Sequence, residues 1–127
     1  MFSDQPEVKA LFEAYEAALV ANDVDRVIGF FAEDAVRFGI ADQQSGRAEQ
    51  ERWRRAQPAL PPGRFLKDTT IHGYGPDVAI VTTLFGYPGR AVLGRQSQTW
   101  ARLPEGWRIV HAHVSEPSTD GPFPPPR

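Results

Sequence analysis

Near the end of the chain, Gly94-Arg-Gln-Ser-Gln-Thr-Trp-Ala-Arg-Leu-Pro-Glu-Gly-Trp-Arg-Ile-Val-His-Ala-His-Val-Ser115 is written as two strands around a tight turn, Leu103-Pro-Glu-Gly106. No other segment constrains the fold as strongly. It places Gln96, Gln98, His111, His113 and Ser115 where a plain sandwich strand carries Val, Ile or Leu. An alternating hairpin with polar side chains on its more enclosed face has to line a wet cavity. A two-residue turn, at Pro104-Glu105 or at Glu105-Gly106, puts Gln96, Gln98, Trp100 and Arg102 on the same face as Ile109, His111, His113 and Ser115. A bulge or a three-residue turn would break that facing. Trp100 and Ile109 among the polar residues argue against a solvent face, so the hairpin reads as the wall of a small-molecule pocket.

The rest of the chain supplies what such a wall needs. From Pro6 to about Asn22, Val8, Leu11, Phe12, Tyr15, Ala18 and Leu19 recur at three- and four-residue steps, an amphipathic helix with proline in its first turn. Asn22-Asp23 breaks and re-caps the chain, and Val24, Val27, Ile28 and Phe31 mark a shorter second helix. Ala35 to Ile40 reads as a strand with Val36 and Phe38 on one side and Arg37 on the other. Residues 41–46 read as a loop, with Ser45 capping a third helix from about Arg47 to Gln57. After the breakers Pro58 and Pro61-Pro62-Gly63 come strands over Phe65–Tyr74 and Val78–Tyr87, and then the hairpin. Helices followed by antiparallel strands predict an α+β fold. Three N-terminal helices pack on a strongly curved, mostly antiparallel sheet, making a cone with a pocket at its open end. Residues 1–115 form this single domain, and residues 116–127 a proline-rich tail unable to add a strand.

Composition narrows the function. A length of 127 residues, 41% of them hydrophobic, suits one domain with one core. A net charge of −2 leaves no electrostatic case for nucleic acid. No apolar run approaches a membrane span, and the N-terminus has no signal-peptide pattern, so a cytoplasmic protein is expected. The absence of cysteine excludes disulfides, thiol nucleophiles and cysteine metal sites. No nucleophile elbow or phosphate-gripping glycine loop occurs, and Lys9 and Lys67 are the only lysines. His111 and His113 could supply two metal ligands, but nothing places a third beside them, so neither metal nor cofactor is expected.

Two residues can be read in either of two ways. Arg37 points toward whatever the sheet encloses, where a guanidinium needs an anion: an internal carboxylate such as Asp34 or Glu16, or a substrate carboxylate. Tyr15 lies in a core stripe, where its hydroxyl finds any partner or donates to a developing negative charge. The Arg52-Trp53-Arg54-Arg55 cluster reads most simply as a solvated helix face over a packed Trp53, the alternative being that Arg54 reaches the pocket mouth.

Taken together, Tyr15-Glu-Ala-Ala-Leu-Val-Ala-Asn-Asp23, Val36-Arg-Phe-Gly39, Gly94-Arg-Gln-Ser-Gln-Thr-Trp100 and Pro104-Glu-Gly-Trp-Arg-Ile-Val110 resemble the AtzH-like family. That family belongs to the nuclear-transport-factor-2-like (SnoaL-like) superfamily. The resemblance runs from about Val8 to Ser115. It implies a small homodimer in bacterial breakdown of nitrogen-rich compounds, an amidase of the type converting 1,3-dicarboxyurea to allophanate. It places the family's proposed catalytic tyrosine and arginine on Tyr15 and Arg37. The chain departs from the family pattern at Phe38 (tyrosine in the family), at Gln57 (arginine), at His111 (commonly alanine) and in a shorter approach to Arg37.

On this basis Arg37 is expected to hold a carboxylate of a small nitrogenous substrate and Tyr15 to hydrogen-bond its carbonyl or leaving nitrogen. Gln96, Gln98, His113 and Ser115 are expected to bind substrate and water, with His113 the candidate base. The alternatives are a non-catalytic carboxylate-binding protein partnered with an amidase encoded alongside, and an isomerase or lyase of ketosteroid-isomerase type. The last requires Asp34 or Asp68 to project inward.

Overall fold

Val8, Phe12, Tyr15 and Ala18 bury one side of α1 (Pro6–Val20) in the computed structural model, which describes residues 1–118. Pro6 opens the helix and the Gln5 side chain accepts from the Glu7 N–H. Asn22 then takes a left-handed φ of 54°, and Asp23 caps α2 (Val24–Gly29) by accepting from the Arg26 N–H. The second helix is shorter than its apolar pattern suggests. Phe31 belongs to a strand, because it pairs with Ile109 and the Ile109 N–H donates to the Phe30 carbonyl.

The strands are β1 (Phe2–Ser3), β2 (Phe31–Phe38), β3 (Gln43–Ser45), β4 (Phe65–Gly73), β5 (Val78–Gly86), β6 (Gly94–Leu103) and β7 (Gly106–Ser115), with α3 (Arg47–Ala56) between β3 and β4. They form one sheet in the order β1-β4-β5-β6-β7-β2-β3. The β1–β4 and β2–β7 pairs are parallel and the rest antiparallel. Register shifts interrupt β2–β7, β4–β5 and β6–β7, and such extra residues bend strands and let a sheet curl. The expected α+β architecture with three helices on a curved, mostly antiparallel sheet is present.

Two local expectations fail. Residues 43–45 are a strand and not loop, because Gln44 pairs with Arg37 and Ser45 with Val36. That pairing takes Ser45 away from the cap of α3; Gly46 holds the cap position, and the Glu49 carboxylate accepts from the Ser45 N–H at 2.6 Å. Residues 119–127, most of the proline-rich tail, lie outside the described residues. Among the described residues no helix is long and apolar enough to cross a membrane.

Candidate functional site

Rows of paired residues across the inner face of the sheet show how the pocket is made. Ala79, Trp100, Ile109 and Phe31 lie side by side at one level, all fully buried. The next level runs Ile71, Val81, Gln98, Ala112, Arg37 and Gln44. Beyond it come Thr83, Gln96 and Val114. The inner face thus turns from apolar to polar along the strands, and at the polar end a cavity of about 320 Å³ opens. Tyr15 and Leu19 of α1, Arg37 of β2, Trp53 and Arg54 of α3, and Gln96 of β6 contribute to its wall.

Arg37 points inward because β2 alternates; Phe38 points out, 42% exposed, against the rings of His111 and His113. The internal partner of Arg37 is neither Asp34, which is exposed, nor Glu16. Its Nη1 donates to Asp42 Oδ1 at 2.5 Å and to Gln44 Oε1 at 3.1 Å, and Gln44 Nε2 donates to the same Asp42 oxygen at 2.8 Å. The Trp53 ring packs 4.6 Å beneath the guanidinium. Asp42 reaches this position because the Gly39 N–H donates to the Asp42 carbonyl, folding the chain so that the carboxylate sits over Gly39. A Cβ at residue 39 would run into that carboxylate, which accounts for glycine two positions after the arginine.

A second buried ion pair braces the other side. Arg64 donates from Nε and Nη2 to the two carboxylate oxygens of Glu16, at 2.9 and 3.3 Å, and from Nη1 to the Tyr87 hydroxyl at 3.1 Å. Gln96 closes the network, accepting from Arg64 and donating to Glu16. Burial works against the Arg64 charge, but the hydrogen bonds and charge of Glu16, with Tyr87, outweigh it and raise its pKa. Arg90 and Glu116 pair at 3.1 Å at the rim.

Tyr15 is buried among Phe12, Phe30 and Phe31 while still lining the cavity. Tyr15, Arg37 and Gln96 therefore share one pocket. Gln98 does not line it; its Oε1 accepts from the buried Trp100 Nε1 at 3.0 Å, a core role. His113 and Ser115 are corrections. The turn is the two-residue Pro104-Glu105, since Leu103 pairs with Gly106, and Trp100 does face Ile109. The register then shifts, Thr99 pairing with His111, which makes Val110 an extra residue on β7. Beyond it Ala112 and Val114 turn inward, opposite Gln98 and Gln96, while His111, His113 and Ser115 pass to the outer face. Asp34 and Asp68 are exposed, so neither is an inward base. Among the described residues no three His, Asp or Glu side chains are grouped to hold a metal ion.

Sequence reasoning misses Asp42, Gln44 and Arg64, and sets Arg54 on a solvated face although it lines the pocket. Reading residues 39–42 as a turn would have set Gln44 opposite Arg37. For Arg54 the signal was that α3 has no apolar stripe: its inward residues are Gln50, fully buried, with the half-buried Trp53 and Arg54.

Comparison with known proteins gives a consistent picture. A family model described as AtzH-like matches residues 4–120. A solved protein of unknown function from Pectobacterium atrosepticum is 43% identical, with a TM-score of 0.83, over 87% of this chain and 88% of that one. A cystatin-like fold protein from Burkholderia xenovorans is also 43% identical, with a TM-score of 0.81, over 86% and 88%. An NTF2-like protein of unknown function from Pseudomonas putida, 22% identical, shares the fold at a TM-score of 0.76 over 88% and 85%. No protein with a curated description matches the chain.

Proposed function

Taking as premise that this chain belongs to the AtzH-like family, we propose that its pocket binds a small carboxylated urea or related amide and hydrolyses a C–N bond with water as nucleophile. One observation carries this reading: Tyr15 and Arg37 line the same cavity, whose wall holds arginines and carboxylates but, among the described residues, no serine, threonine, lysine or histidine. The two lining carboxylates are already paired with Arg37 and Arg90 and the hydroxyl of Tyr15 serves as a donor, so in this reading the oxygen attacking the carbonyl comes from water. Tyr15 donates to the carbonyl oxygen as negative charge develops there. Arg37 acts with Asp42 as a preset unit. Both side-chain hydrogen bonds to that carboxylate fall on Oδ1, leaving Oδ2 to take the water proton, a role that His113 on the outer face is not placed to fill. The water oxygen bonds the acyl carbon, the C–N bond breaks, and the nitrogen leaves with the electron pair and takes a proton; in 1,3-dicarboxyurea that carbon is a carboxyl carbon on nitrogen, so allophanate and bicarbonate are the products.

The test is turnover of 1,3-dicarboxyurea to allophanate, followed by mass spectrometry. Tyr15→Phe, Arg37→Lys and Asp42→Asn should each lose turnover by about a hundredfold or more while melting as folded proteins. Wild-type activity in Tyr15→Phe or Arg37→Lys would sink the mechanism.

A second reading draws on the pairing of every lining carboxylate with an arginine, Asp42 with Arg37 and Glu116 with Arg90. A pocket so neutralised suits a protein that holds a carboxylate for a partner amidase without turning it over. Stabilisation by small carboxylates with no product formed, alone or with the amidase, favours it. In either reading a homodimer is proposed across the outer face of the sheet, around Phe38, with sedimentation as its measurement.

A further inference from the structure

The pocket wall carries four arginines: Arg37, Arg54, Arg64 and Arg90. Three already have carboxylates, namely Asp42, Glu16 and Glu116. The fourth does not. Arg54 projects from α3 and lines the cavity beside Trp53, half-buried, with its Nε donating to Gln50 Oε1 at 2.9 Å. Its guanidinium also lies 5.6 Å from the centroid of the Trp53 ring, and the Tyr15 hydroxyl is near enough to favour its charge. Among the described residues no carboxylate oxygen comes within ion-pairing distance of it.

A guanidinium removed from water without a counter-ion is costly, and its planar fork of donors fits one carboxylate. We propose that Arg54, and not the already paired Arg37, is the group that receives the ligand's carboxylate, and that the pocket selects ligands carrying one such anion beside an amide or urea. The proposal rests on the reading of the pocket as a carboxylate site and names the residue that confers it. Two features support it. Burial lowers the Arg54 pKa, and neighbouring Arg37 lowers it further against the pull of Tyr15 and Asp42, so the empty pocket disfavours a charge that an arriving anion would stabilise. The contact between Arg54 and Tyr15 also puts a bound carboxylate next to the hydroxyl proposed to polarise the carbonyl. A ligand anchored there by one carboxylate has the rest of its amide or urea chain near Tyr15, the placement that hydrolysis of a C–N bond in that chain needs.

The experiment compares two probes of nearly equal shape, malonamate with one carboxylate and malonamide with none, by calorimetric titration of the intact protein. Wild type should prefer malonamate by about ten- to a hundredfold, as one charge-assisted paired contact allows. Arg54→Gln, and Arg54→Met, which keeps the stem packed beside Trp53, should lose that preference and bind both probes alike. Arg52→Gln, which removes the same charge from the exposed part of α3, should keep it in full. An undiminished preference in a folded Arg54→Gln or Arg54→Met overturns the assignment to Arg54 while leaving a carboxylate pocket. A wild type that does not prefer malonamate overturns the carboxylate reading itself, and this assignment with it.

Discussion

Followed along β5, β6, β7 and β2, the inner face of the sheet has two ends built on different principles. At the closed end Ala79, Trp100, Ile109 and Phe31 meet the helices with apolar surface alone. Their burial, at roughly 25 cal/mol per Å², is non-directional and tolerates no water. At the open end Arg37, Gln44, Gln96 and Arg64 are held by named partners, each donor aimed at an acceptor. Such a network contributes little while complete and costs much when one member is removed. The contrast explains how a pocket rich in charge coexists with a small core. Three of the four arginines are neutralised from within, and the apolar end supplies the stability that permits the polar end.

Substitutions at the two ends sharpen that comparison. Trp100→Ala, in the closed end, should destabilise by about 3–5 kcal/mol in urea unfolding. A loss under about 1 kcal/mol would mean that this end is not the packed core. Arg64→Ala leaves Glu16 buried and unpaired and should cost about 3 kcal/mol, whereas Arg64→Gln combined with Glu16→Gln should recover most of that loss. Additive single effects in that cycle would remove the network from the open end. Gly39→Ala pushes a methyl into the Asp42 carboxylate pinned by Arg37 and Gln44, for about 1–3 kcal/mol of stability. Smallest of all, His113→Ala on the outer face should stay within about 0.5 kcal/mol of wild type and leave malonamate affinity unchanged. Weakened binding in that variant would return His113 to the pocket wall.

Much of this could be read from the residues. The α1 stripe, the turn at Leu103-Pro-Glu-Gly106, the inward aim of Arg37 and the burial of Tyr15 follow from periods of 3.6 and 2 and from turn chemistry. The resemblance to the AtzH-like family was carried by the same segments. What failed did so at particular places. Phe31 was assigned to a helix because its apolar spacing continues that of Val27 and Ile28, and only pairing with Ile109 draws it into β2. Gln98 was read as a pocket residue since a polar side chain on an inner face usually meets water, yet the indole of Trp100 satisfies it.

Local pattern is enough for the three helices, the long strands and the presence of charged groups on the enclosed face, since these depend on neighbours a few residues apart; the short strands β1 and β3 leave no such trace. Contacts across the sheet settle which polar groups face the pocket and which lining arginine has no carboxylate among the described residues. One extra residue at Val110 reverses the facing of His111, His113 and Ser115, because side chains alternate and a single-residue shift inverts them all. The pairing of Arg64 with Glu16, 48 positions away, leaves Arg54 the lining arginine without a carboxylate among the described residues, because ion pairs form through space between groups that no local pattern relates.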